Sequence, residues 1–256
     1  MGAVGNNQMA TEQAFYGLVA AQRSLDGSNS LYNMSDAKKR GNDVVSINTV
    51  LGLPGKHADV KAVPITAPGK TFEDIENNQN KTAIEALAER GIINGKTAVL
   101  FEPDATMSRA EFATILVHSL GLTAQSEMMF SDVNADAWYA GYVNIAYTCG
   151  LVTGTGETTF NPQGTISKQE AAMMMSRAAK LAGMDTDMNE VAVRDILAGF
   201  GDYVTAANWA WPDLAFCYAN GLFDDAAFDI EPIKEIRRSE IAEVLYRLLA
   251  KARLLR

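Results

Sequence analysis

Apolar residues recur at helical spacing in six stretches that pair off along most of the chain. In one of them Trp138, Tyr139, Tyr142, Val143, Ala146 and Tyr147 fall at i, i+1, i+4, i+5, i+8 and i+9. That is one broad stripe, with Gly150 where a helix C-cap belongs. The stretch after it places Ala171, Met174, Met175, Ala178 and Ala179 on one face. The same pair precedes it as Ile84, Leu87 and Ala88, then Phe112, Ile115, Leu116 and Leu120. It follows again as Leu214, Cys217 and Tyr218, then Ile241, Val244, Leu245 and Leu248. A lone helix pair cannot bury both stripes, so the three units are predicted to pack against one another.

Other positions fix the repeat. Each unit opens on Phe-x-Asp, at Phe72 to Asp74, Phe130 to Asp132 and Phe200 to Asp202. A glycine ends its first helix (Gly91, Gly150, Gly221), and an apolar-x-Pro follows at Phe101 to Pro103, Phe160 to Pro162 and Ile230 to Pro232. The glutamates Glu111, Glu170 and Glu240 then lie 20, 20 and 19 residues beyond those glycines. The expected organisation is repeats over 72–125, 126–195 and 196–256, a linker or small extended segment over 41–71, and a separate helix within 1–40.

Ser108 with Glu111 and Ser167 with Glu170 fit a capping box, which makes Arg109 and Lys168 first helical residues. A cation there opposes the helix dipole by about 0.3–1 kcal/mol. For one helix the simple account is a side chain directed into water. The same misfit at Arg109, Lys168 and Arg238 points instead to free amides joined by a cation, a site for a carboxylate or phosphate.

Taken together, the Phe-x-Asp opening, the Trp-Tyr helix, Gly150 to Gly154, the Phe-x-Pro and the Ser-Arg-Ala-Glu helix start resemble S-layer homology domains. Three in tandem, from Phe72 to about Ala252, match that family's usual arrangement. The resemblance implies an all-α pseudo-trimer of helix-loop-helix repeats with grooves between neighbours. It implies binding of secondary cell-wall polysaccharide through a terminal pyruvylated N-acetylmannosamine, an extracellular place in the wall or surface layer, and peptidoglycan as a further partner. The family's motif cation falls on Arg109, Lys168 and Arg238, and its aromatic on Trp138 and Trp209, which suit either a sugar face or core packing. Asp74, Asp132 and Asp202 suit either sugar hydroxyls or a cap or turn. The capping glutamates are not assigned to ligand.

Departures from the pattern are spread over all three units. Gln79 stands where the tryptophan belongs, Lys168 replaces arginine, Arg237 replaces the capping serine, and Asp225 replaces the loop glycine beside Asp224 and Asp229. Unequal grooves are expected, with the third unit the most altered.

Met9 to Leu25 reads as an amphipathic helix with Thr11 as N-cap, ended by Asp26 to Asn29. With Ser30 to Met34 it is similar to the tail of prenyltransferase-like alpha/alpha-toroid domains, which implies a piece of a larger exported protein and agrees with the missing signal peptide.

Composition narrows the function. Lys and Arg number 22 against 31 Asp and Glu, a net charge of −9, which argues against nucleic acid. No apolar run reaches the roughly 20 residues of a bilayer span. Cys149 and Cys217 read as core residues, and with only His57 and His118 beside them neither a metal site nor triad chemistry is indicated. No cofactor and no catalysis are expected. A wall hydrolase, which needs two carboxylates across a cleft, has no room in residues 1–71. The leading reading is a non-catalytic wall anchor, and the alternative a protein–protein scaffold of a surface layer.

Overall fold

In the computed structural model, which describes residues 51–123, 127–224 and 226–255, each predicted helix pair forms. The first repeat holds α1 (Lys81–Ala88) and α2 (Arg109–Ser119), and the second α3 (Ala140–Thr148) and α4 (Lys168–Leu181). A helix that the periodicity did not announce, α5 (Glu190–Leu197), precedes α6 (Trp211–Ala219) and α7 (Arg238–Lys251) of the third. Its start is local chemistry: the Asn189 side chain accepts the Ala192 amide at 2.9 Å. The described residues contain no strand, and the architecture is all-α. The helix expected at Met9 to Leu25 lies outside the described residues.

Both ends of the repeat helices follow from sequence. The Ser108 and Ser167 amides donate to Glu111 and Glu170 at 2.9 Å each. Arg237 has no acceptor to offer, yet its amide still donates to Glu240 at 2.8 Å, so the glutamate half of the box survives. Gly91, Gly150 and Gly221 sit at φ of 65°, 72° and 57°, the left-handed cap that glycine adopts without strain.

The three Phe-x-Asp aspartates hold the apolar-x-Pro loops. Asp74 accepts the Phe101 and Glu102 amides at 2.8 and 2.7 Å. Asp132 accepts those of Phe160 and Asn161, both at 2.8 Å, and Asp202 those of Ile230 and Glu231 at 2.6 and 2.8 Å. The second residue of each loop, Glu102, Asn161 or Glu231, has a φ of 53–58°. A left-handed conformation costs a side-chain-bearing residue about 1–2 kcal/mol. Two charge-assisted hydrogen bonds per carboxylate offset it.

The repeats close into a ring. Helix α2 packs on α3, α4 on α6, and α7 on α1, so each second helix meets the first helix of the following repeat. The second helix of the third repeat thereby covers the first helix of the first repeat, a junction marked by the buried Asn80 side chain donating to the Ser239 carbonyl at 3.1 Å. Isolated bridges Thr106–Arg237, Ser108–Thr165 and Ser167–Glu235 link the three helix approaches around the axis. One continuous core results, through Leu87, Phe112, Val143, Met175, Leu214 and Leu245. Cys217 is buried in it, where desolvation pushes the thiol up, and Cys149 is half-buried against it.

Residues 51–71, which fall in the stretch expected as linker or small extended segment, lie across the helix ends. The Gly52 amide donates to Arg253, His57 to Leu181 and Lys61 to Leu120, at 2.8–2.9 Å, visiting the ends of α7, α4 and α2 in turn. Val60 is wholly buried between them. The helix ends accommodate this strap with Gly183 (φ 89°) and Gly121 (φ 59°), but with Arg253 (φ 57°) at the third. Arg253→Gly is therefore expected to stabilise the chain by about 0.5–1 kcal/mol, roughly 1–4 °C in Tm by thermal unfolding.

Candidate ligand grooves between repeats

The motif cations do not face free amides. The Arg109 and Ala110 amides donate to the Gly164 and Pro162 carbonyls at 2.9 and 3.1 Å. Those of Lys168 and Gln169 go to Lys234 and Pro232, and those of Arg238 and Ser239 to Ala105 and Pro103, at 2.9–3.0 Å. Each second helix thus seats its first two N–H groups in the proline loop of the next repeat. This corrects the expectation of an anion site built on helix amides: tertiary packing has used the donors.

Nor do the arginines point into water. Arg109 is 4% exposed and Arg238 3%. The Arg109 guanidinium lies 5.0 Å over the Phe160 ring and donates to the Phe160 carbonyl at 3.0 Å and to Glu170 at 2.8 Å. Arg238 lies 4.6 Å over Phe101 and donates to the Phe101 and Asn94 carbonyls at 2.9 and 2.7 Å. Burial pulls both guanidinium groups down from the ordinary arginine range, opposed by Glu170 for Arg109 and by Glu111 for Arg238. Lys168 makes no such bonds among the described residues. Its ammonium lies 5.1 Å over Phe223 and 5.7 Å over Tyr218, and burial pulls it down against the pull of Glu240.

Each cation forms the floor of a groove. The Arg109 groove, about 530 Å³, has Thr153 and Gly154 on one side, Glu170 and Arg177 along α4, and Trp209 at the rim. The Arg238 groove, about 260 Å³, repeats this with Asn94 and Gly95, with Glu111 and His118 along α2, and with Trp138. The Lys168 groove, about 430 Å³, has Phe223 and Asp224, then Glu240 and Arg247 along α7, with Gln79 in the tryptophan's place. Every groove takes its cation from one repeat, its loop and capping glutamate from the next, and its rim residue from the one after. Gly95 and Gly154 are required by space: a Cβ on either would come within 2.5 Å of loop carbonyl oxygens. The third repeat's corresponding Asp225 lies outside the described residues.

Of the eight residues expected at a ligand site, five meet in these grooves: Arg109, Arg238, Lys168, Trp138 and Trp209. The tryptophans are not core; Trp138 is 63% exposed and Trp209 52%. Asp74, Asp132 and Asp202 are not among the residues lining these three grooves; both oxygens of each accept backbone amides of the proline loops. Arg177, His118 and Asp213 were missed. The first two stand seven residues after the capping glutamates, two helical turns along the same face, and that spacing was available in the sequence. Nη1 of Arg177 is buried without a hydrogen-bond partner among the described residues. Burial pushes the Asp213 carboxyl up, against a Ser176 hydrogen bond and the charge of Arg177. Among the described residues no group of His, Cys, Asp and Glu is placed to hold a metal, and no helix is long and apolar enough to cross a membrane.

The family model of the S-layer homology domain matches residues 71–113 and 130–172. Amylopullulanase of Thermoanaerobacterium thermosulfurigenes is 30% identical over 185 residues, 72% of this chain and 10% of that protein. The surface-layer 125 kDa protein of Lysinibacillus sphaericus is 32% identical over 173 residues, 66% of this chain and 14% of its own. The S-layer protein sap of Bacillus anthracis is 28% identical over 184 residues, 71% of this chain and 22% of its own. This chain therefore spans less than a quarter of the length of these relatives. The chain thus carries S-layer homology domains at residues 71–113 and 130–172, and its third repeat has the same aspartate-held loop, glycine cap and glutamate-capped helix as those two.

Proposed function

We propose that this chain is a non-catalytic cell-wall anchoring module that holds the pyruvylated end of a secondary cell-wall polysaccharide in grooves between neighbouring repeats, outside the cell. The observation that carries the reading is the pair of exposed tryptophans at equivalent groove rims, each facing a loop glycine and a buried arginine. An indole left half in water forgoes the large area a tryptophan can bury, and a sugar ring restores it. Arg177, on the same wall, adds a second positive charge to the Arg109 groove. The similarity to both a polysaccharide-degrading enzyme and surface-layer proteins supports a module shared by different cargoes, with any catalysis residing elsewhere. The groove glutamates favour this reading too, since Glu111 and Glu170 are occupied by helix caps and by Lys96 and Arg109.

The test is co-sedimentation of the chain with isolated Gram-positive-type wall, before and after mild acid removes the pyruvyl ketals. Binding is expected to fall with the ketal. Trp138→Ala and Trp209→Ala, both at exposed positions, are each expected to lose about 1–2 kcal/mol at their groove, roughly 5- to 30-fold, without a change in Tm. Binding indifferent to the ketal removes the acidic-glycan reading.

A second reading, an assembly scaffold of a surface layer, is favoured by three exposed apolar side chains of the third repeat: Val204, Phe228 and Ile233, 65–75% exposed. Concentration-dependent self-association with no wall binding selects it.

A further inference from the structure

Departures from the repeat pattern arise in three different units, and the ring brings residues from each unit to one place. Gln79 comes from the first repeat, Lys168 from the second, and Asp224 and Asp229 from the third. All line the same groove, whereas the Arg109 and Arg238 grooves keep an arginine, a loop glycine and a tryptophan. We infer that the chain holds two equivalents of the acidic sugar and that the Lys168 groove is closed to it. This rests on the anchoring proposed above.

Charge decides the matter as much as shape. The Arg238 groove sets Arg238 and Lys96 against Glu111, one positive charge in excess. The Arg109 groove balances Arg109 and Arg177 against Glu170 and Asp213. The Lys168 groove sets Lys168 and Arg247 against five carboxylates (Asp224, Asp229, Glu231, Glu240 and Glu243), and Lys234 at its edge pairs with Glu231 at 2.6 Å, which leaves an excess of two negative charges. Arg247 is itself held by Glu243 at 2.6 Å. At about 8 Å each uncompensated carboxylate weakens an incoming anion roughly 2- to 30-fold across the dielectric range of a protein surface. Two of them, with no indole opposite, place the groove at least about 20-fold below its two counterparts.

Native mass spectrometry and calorimetric titration of the full chain with a pyruvylated N-acetylmannosamine glycoside test this. Two equivalents are expected. Trp138→Ala and Trp209→Ala are each expected to leave one, Lys168→Gln is expected to leave two, and Gln79→Trp combined with Asp224→Asn and Asp229→Asn is expected to gain a third. Three equivalents in the unaltered chain, a single one, or loss of one on Lys168→Gln overturns the inference while anchoring stands. No binding of the glycoside, with wall binding insensitive to the ketal, overturns the anchoring reading and this inference with it.

Discussion

Arg109→Ala is expected to destabilise the chain by about 3–5 kcal/mol, seen as a drop of roughly 6–20 °C in Tm by calorimetry. The side chain is a bolt between repeats. It leaves α2 of the first repeat, crosses the Phe160 ring of the second, and donates to the Phe160 carbonyl and to Glu170. Removing it leaves a backbone carbonyl and a carboxylate facing a void, and an uncompensated buried charge costs far more than the pair contributes net. Arg109→Lys keeps the charge but loses the fork that reaches both acceptors, so an intermediate loss of about 1–3 kcal/mol is expected. Loss of wall binding in Arg109→Ala would therefore report on folding as much as on recognition. The tryptophan variants separate the two, because their side chains stand more than half exposed at the rim.

Gly183→Ala is expected to cost about 3–4 kcal/mol, against about 1–2 kcal/mol for Gly150→Ala, each measured by denaturant unfolding. Both glycines end a helix at positive φ, 89° and 72°. Around Gly150 nothing lies within 4 Å of an added Cβ, so only the left-handed conformation is penalised. At Gly183 the Cβ would come 2.5 Å from the Lys56 amide nitrogen and 2.7 Å from the Gly55 carbonyl carbon, both backbone. The strap must then lift, and with it the His57 amide's bond to Leu181 and the burial of Val60. Equal losses at the two glycines would mean that the strap contributes little to the folded state.

Different parts of this molecule were legible to different degrees. The helix starts were readable because a capping box is complete within four residues, and the helix ends because a left-handed cap selects glycine. The stripe of Trp138 to Tyr147 was read as a single helical face, yet α3 begins only at Ala140 and leaves Trp138 on the groove rim. Periodicity reports which residues are apolar; whether an apolar side chain meets core or ligand depends on what packs opposite. Helix α5 escaped because Val193 and Leu197 alone carry its buried face, too few positions to stand out from a linker. The aspartates open each repeat in the sequence, but their amide partners lie 27 to 29 residues away, beyond any local pattern.

The sequence by itself determined the repeat, its all-α character, the helix boundaries set by serine, glutamate and glycine, and the residue types of the grooves. These depend on interactions closed within a turn or two of chain. Only the tertiary structure decided that the helix amides are used by neighbouring loops, that the arginines bolt the repeats together, and that residues from all three units line the Lys168 groove. The physical reason is the cyclic closure of α7 onto α1: each groove draws on three repeats at once, so its charge and shape are properties of the ring and belong to no single repeat.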